Sequence, residues 1–261
     1  MLSGSSRQTR TTPILQHSNT PMHPLRIVFL FLFLNALSCQ PRSAQPPPAP
    51  EEGLALAIVY DTSGSMSDPV INAAGAHEKK YLIARRALDA ILDQLADYAA
   101  AAQPGATRAV KAELIVLAST KARVAIPLQP FHADRFKKWI DSFNQPAGGT
   151  PLGKALEKAS SDLLASPLTR KHILVLTDGE NTEGPTPESV MPGLIKQAGT
   201  ASTKLQFHFV AFNVAGAVFN PIKNLGATVV SANDETQLNE QLEFILQKKI
   251  LLENEEPPLN K

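Results

Sequence analysis

One doubly wound α/β domain, a mostly parallel sheet with helices on both faces, is the fold class that the sequence predicts. Two observations carry the prediction. From residue 54 onward, short apolar runs alternate with segments whose apolar residues recur every three or four positions. The chain of 261 residues, 43% hydrophobic and 19% charged, can bury one sizeable core and has little room for a second.

The strands come first. LALAIVY (54–60), AELIVLA (112–118), KHILVLT (171–177) and LQFHFVAF (205–212) are near-continuous apolar runs bounded by polar or turn residues. Such runs suit strands buried on both faces of a parallel sheet. RVAIPL (123–128) and ATVVSA (227–232) are weaker and read as the two edges, Pro127 favouring an edge for the former. Between them, Ala84, Leu88, Ile91, Leu92 and Leu95 form one helical stripe, and Phe136, Trp139, Ile140 and Phe143 another. Trp139 is expected in the core, and the pairs Lys79-Lys80 and Arg85-Arg86 on a solvated helix face. Asp234, three residues before Gln237, starts a last helix whose inner face is Leu238, Leu242, Ile245 and Leu246. No internal repeat is visible.

The amino-terminal region reads differently. Residues 22–39 run from Arg26 through a short apolar stretch to small residues, the layout of a secretory signal, and Ile27–Leu34 is too short to span a bilayer. Ala36-Leu37-Ser38-Cys39 resembles the lipobox of bacterial lipoproteins, although Leu usually stands where Ala36 does; the resemblance implies lipidation of Cys39, and an ordinary cleaved signal is the alternative. Residues 1–21 lengthen the signal unnaturally, so translation is expected to start at Met22, leaving 1–21 untranslated or disordered. Residues 40–53, QPRSAQPPPAPEEG, read as a stiff proline-rich spacer, 54–253 as the domain and 254–261 as a frayed tail. The expected location is extracytoplasmic, in the cell envelope or periplasm on a lipid anchor, or otherwise secreted. Cys39 is the only cysteine, which excludes an intrachain disulfide and a cysteine-cluster metal site. A net charge of +1 offers nothing for holding nucleic acid by charge alone.

The chemistry concentrates in Asp61-Thr62-Ser63-Gly64-Ser65, which leaves the carboxyl end of the first strand, where ligands collect in open α/β sheets. A nucleophile elbow needs glycines two residues to either side of its serine, and neither Ser63 nor Ser65 has them. Of the six histidines, His172 and His208 fall in strands and read as structural, and His77 and His132 have no evident partner. Ser63 interrupts the D-T-G of aspartic proteases and stands where aspartyl-phosphate enzymes want a second acid. Residues 148–155, GGTPLGKA, match part of a phosphate-binding loop, but Ala155 replaces the hydroxyl that should meet Mg²⁺ and the segment does not follow a strand; nucleotide binding is not expected. A divalent ion accounts for more. Mg²⁺ takes six oxygens and often keeps waters; Ser63 and Ser65 can turn both hydroxyls one way, with Asp61 binding through water. Thr150 in a glycine-lined turn and Asp178 at the end of KHILVLT could supply further oxygens if the strands at 54–60 and 171–177 are neighbours.

D-x-S-x-S after the first strand, a threonine in GGT and an aspartate in T-D-G together resemble the metal-ion-dependent adhesion site of von Willebrand factor type A domains, a resemblance that extends over residues 54–253. It implies a six-stranded Rossmann-like sheet of order 3-2-1-4-5-6, antiparallel at the edge strand near 123–128. It also implies an ion, Mg²⁺ with Mn²⁺ or Ca²⁺ as substitutes, on Asp61, Ser63, Ser65, Thr150 and Asp178. Mostly neutral ligands leave the ion positive and one position open, so an acidic side chain of a protein partner can complete the shell. The expected function is therefore binding, without catalysis. An accessory subunit of an assembly or chaperone-like ATPase system using the same surface is the alternative, and a hydrolase built on Asp61 or Ser63 is the reading least supported. Some relatives switch affinity when the last helix slides, which would involve 234–252 here. Glu180 reads as a solvated loop charge.

Overall fold

The computed structural model describes residues 49–101, 109–201 and 203–252. Cys39, the signal-like segment, most of the spacer and the tail from 254 lie outside the described residues. The first strand, β1 (Glu51–Tyr60), is followed by a short 3-10 turn (Gly64–Ser67), the short strands β2 (Pro69–Ile71) and β3 (His77–Lys79), and helix α1 (Lys80–Ala100). Next come β4 (Ala109–Ala118), β5 (Lys121–Pro130), α2 (Ala133–Ser142), α3 (Leu152–Ala165), β6 (Leu168–Thr177) and α4 (Pro187–Thr200). The chain continues through β7 (Leu205–Phe212), a short α5 (Asn220–Asn224), β8 (Thr228–Ala232) and α6 (Glu235–Phe244), which runs on as a π-helix over Ile245–Leu251.

The main sheet has six strands in the order β5-β4-β1-β6-β7-β8, the expected order 3-2-1-4-5-6 counted along its own strands. Only β4 and β5 pair antiparallel in it. β1 takes in Glu51, Glu52 and Gly53, placed in the spacer by their polarity, because Glu51 N–H donates to Pro167 O at 2.9 Å and extends the ladder beyond the apolar run.

Alternation along β1 builds two cores. Leu54, Leu56, Ile58 and Tyr60 face α1, α2 and α6, while Ala55, Ala57 and Val59 face α3 and α4. The alanines of β1 share this core with Ala155 and Ala159 of α3, small residues that let the helix lie close over the strand whose end carries the motif. The stripes of α1 and α6 are buried as expected. Trp139 packs against the core as expected, at its rim: it is partly buried, its ring stacks on Phe143 at 5.6 Å and meets the edge of Tyr60.

Two elements depart from the sequence reading. The β2–β3 pair is a second, small antiparallel sheet, too short for hydrophobic periodicity to reveal. Its turn is built by the Asn72 side chain, whose Oδ1 accepts from Ala74 N and Ala76 N at 3.0 and 2.9 Å. The π-helix follows from spacing: the buried pairs Ile245/Ile250 and Leu246/Leu251 are five apart, which a helix of α period would turn off one face.

Candidate functional site

The ends of β1 and β6 lie side by side because Tyr60 pairs with Leu176, and Asp61 N donates to Leu176 O at 3.0 Å. One residue further, Thr177 Oγ1 donates to Asp61 Oδ2 at 2.6 Å, and Ser63 N donates to Asp61 Oδ1 at 2.8 Å. Both oxygens of Asp61 are thus held by the protein itself. Asp61 is fully buried. Burial pushes its carboxyl above the ordinary range, the Thr177 and Ser63 hydrogen bonds oppose that shift, and the nearby charge of Asp178 adds to it.

The 61–65 loop is zipped to the glycine-lined turn by two backbone bonds, Ala147 N to Thr62 O at 2.9 Å and Gly64 N to Gly148 O at 3.1 Å. Thr62 secures the other side through its hydroxyl on Leu117 O. Gly148 has φ +85°, and a Cβ there would lie 2.5 Å from Ser119 Cα, so this crossing needs glycine for both conformation and space. The turn then delivers Thr150, fixed by its N–H on Thr182 Oγ1 at 2.8 Å and its carbonyl on Thr182 N at 3.1 Å.

The oxygens converge. Ser63 Oγ and Ser65 Oγ are 3.1 Å apart, and Ser65 Oγ donates to Asp178 Oδ1 at 2.8 Å. A carbon at the Cβ position of Gly179 would lie 3.9 Å from Ser65 Oγ and 4.0 Å from Thr150 Oγ1, so both hydroxyls approach one point above the T-D-G turn. All five residues predicted from the sequence are therefore brought together. Oxygens spaced by about 3 Å match the edge of an octahedron with metal–oxygen bonds of ~2.1 Å, so this donor set fits a hard divalent cation. Among the described residues no group of three His, Cys, Asp or Glu converges in a metal-holding geometry; this cluster combines two carboxylates, Asp61 and Asp178, with hydroxyls.

Two residues escaped the sequence reading. Thr177 holds Asp61, and only the β1–β6 register reveals it. Lys80, expected on a solvated face, is instead 5% exposed and donates from Nζ to Asp178 Oδ2 at 2.9 Å. The β2–β3 pair turns the chain so that α1 starts at the site, with Lys80 N on Asp68 O at 3.0 Å. Arg86 stays on an exposed face, as expected, and from there bridges Glu78 and Glu235. Lys154 of the phosphate-loop-like stretch donates to Thr120 O at 2.8 Å. The buried His172 and His208 stack on each other across β6 and β7 with Nδ1···Nε2 3.0 Å, within the sheet and not at the loop cluster. Glu180 is exposed on the rim of a small pocket shared with Asn181 and Glu188.

The doubly wound sheet sets this oxygen-rich cluster at its topological switch point, where open α/β domains collect ligands. The chain belongs to the von Willebrand factor type A domain family, whose model matches residues 55–241. Domains of this family generally act as protein-interaction modules. No curated protein matches the sequence. The fold is shared with a variant of the PilB minor pilin from Streptococcus sanguinis (TM-score 0.56, 16% identity, 79% of this chain and 63% of that one covered). It is also shared with proximal thread matrix protein 1 from the mussel byssus, solved with a zinc-occupied metal-ion-dependent adhesion site (TM-score 0.54, 15% identity, 76% and 48% covered). A third likeness is the domain of the type V pili tip protein Mfa5 from Porphyromonas gingivalis (TM-score 0.56, 13% identity, 76% and 95% covered). The chain spans less than two thirds of the pilin and of the byssus protein, and at these identities the likeness is one of fold. Among the described residues, no helix is long and apolar enough to cross a membrane.

Proposed function

We propose that the chain is an extracytoplasmic binding module that recognises a protein partner through a divalent ion held by the hydroxyls of Ser63, Ser65 and Thr150 and, directly or through water, by Asp61 and Asp178. The observation that carries this reading is the spacing of Ser63 Oγ, Ser65 Oγ and Asp178 Oδ1, at 3.1 and 2.8 Å, beside the Thr150 hydroxyl. When bound, the ion supplies a positive centre with an open position for a partner carboxylate. Asp61, held by Thr177 and Ser63, fixes the loop that carries both serines. The hydroxyls of Ser63 and Ser65 bond each other and Asp178, and among the described residues no histidine hydrogen-bonds to them, which favours binding over nucleophilic catalysis.

Mg²⁺ is the proposed ion, with Mn²⁺ or Ca²⁺ as substitutes. A zinc-occupied site in the byssus protein is consistent with a divalent occupant. The signal-like segment, the lipobox-like Cys39 and the proline-rich spacer support a domain held off a membrane by a lipid anchor, and folds shared with a minor pilin and a pilus tip protein suit that setting. Calorimetric titration of the purified chain with Mg²⁺ and Mn²⁺, beside Asp61→Ala, tests the metal site. Saturable heat is expected in the parent and little in the variant; no heat in the parent, or equal heat in both, would sink the proposal.

A further inference from the structure

The five-residue pattern does not contain Lys80, yet its ammonium reaches into the same cluster. Its side chain is 7% exposed, and that of Asp178 is 0% exposed. An ammonium so far removed from water needs a matched partner, and Asp178 Oδ2 at 2.9 Å supplies it. Each oxygen of Asp178 then has one occupant, the Ser65 hydroxyl on Oδ1 and Lys80 on Oδ2.

On this geometry we propose that Lys80 is a positioning residue of the metal site: it holds Asp178 out of direct contact with the ion and cancels its charge, keeping the bound ion electropositive toward an acidic partner group. The inference rests on the metal-site reading above. Its electrostatic content is a matter of charge count. Asp61 and Asp178 bring two negative charges and Lys80 returns one positive charge, so a bound divalent ion leaves the cluster with a net positive charge. Without Lys80 the same cluster is neutral. Lys80 therefore weakens the hold on the bare ion and strengthens the attraction of ion plus protein for a carboxylate. Its place at the first turn of α1, set by the bond from its N–H to Asp68 O, ties this charge to the backbone of the loop that carries the serines.

The test compares the full chain with Lys80→Met and Lys80→Arg, titrated with Mn²⁺ by calorimetry, while water-proton relaxation counts the waters left on the bound ion. Lys80→Met is expected to bind Mn²⁺ about tenfold more tightly and to lose one metal-bound water as Asp178 moves onto the ion. Lys80→Arg keeps the charge and is expected to stay close to the parent in both readouts. A crystal structure of the Mn²⁺-loaded parent is expected to show Lys80 Nζ still on Asp178 Oδ2 and no direct bond from Asp178 to the metal; this decides the question even if Lys80→Met fails to fold. A folded Lys80→Met that binds Mn²⁺ no more tightly than the parent, or a parent with Asp178 directly on the ion, overturns the role of Lys80 alone. A parent that binds no Mn²⁺ overturns the metal site and this inference with it.

Discussion

Glu113 occupies the middle of β4 on the α3 side of the sheet, fully buried beside Ile115. Burial pushes its carboxyl from 4.5 up to about 9, and the neighbouring Asp162 adds to the shift. The folded chain therefore holds this proton across a range where the unfolded chain has released it. Between pH 4.5 and about 9 the folded state binds more protons, so stability falls as pH rises. Glu113→Gln keeps the shape and removes the titration. Its unfolding free energy should match the parent near pH 4.5 and exceed it by about 4–5 kcal/mol at pH 8. Urea unfolding at the two pH values measures this, and equal midpoints at pH 8 would show that Glu113 ionises in place. Nothing in the local sequence AVKAELIVLA distinguishes such a residue from an edge charge; only the pairing of β4 between β1 and β5 puts it inside.

At the scale of elements, one arginine fastens three of them. Arg86 of α1 donates to Glu78 of β3 from Nη1 and Nη2 at 2.8 and 2.7 Å and to Glu235 of α6 from Nε at 2.8 Å; Glu235 Oε2 in turn accepts from Ala73 N at 2.8 Å. Hydrogen bonds from Arg86 hold the Glu78 carboxyl down at about 2 and that of Glu235 below its ordinary value. Depressed carboxyls contribute stability above their unfolded value of 4.5 that is lost as pH falls toward the folded value. Because the Arg86 side chain is 45% exposed, solvent screens the network, and Arg86→Ala should cost only about 1 kcal/mol at pH 7. The difference should shrink as pH falls from 4.5 toward 2, and thermal unfolding of both proteins across that range reads it directly; a constant difference would assign the loss to packing of the arginine stem. The sequence concealed this clamp because Glu78 and Glu235 are 157 residues apart by number and one of them sits in a strand of three residues. It also concealed the π-helix, whose signal was the change in buried spacing from three or four residues to five between Ile245 and Ile250, beyond the stripe that ended at Leu246.

For the whole molecule, the order of the sheet decides what could be read in advance. Asp61 and Asp178 were legible because each follows a continuous apolar run, and Thr150 because glycines mark its turn. Lys80 and Thr177 were not, since their roles depend on the path of the small hairpin and on the β1–β6 register, which are tertiary properties. The cluster joins the end of β1, the turn before α3 and the end of β6, so an ion held there would draw, directly or through water, on three separate segments of the fold. Anything that binds the folded but not the unfolded chain stabilises it by mass action, by about 2.7 kcal/mol at a hundred times Kd. For a domain of this size that is a rise in Tm of roughly 5–10 °C. Thr150→Ala removes one hydroxyl and leaves both backbone bonds to Thr182, so the variant should melt near the parent without metal. With saturating Mg²⁺ the parent should rise by the stated amount, the variant by markedly less, and a chelator should return both to their starting values. Scanning calorimetry of the two proteins with and without Mg²⁺ makes the comparison. Equal rises would take Thr150 out of the site, and the absence of any rise in the parent would remove the ion from the folded molecule.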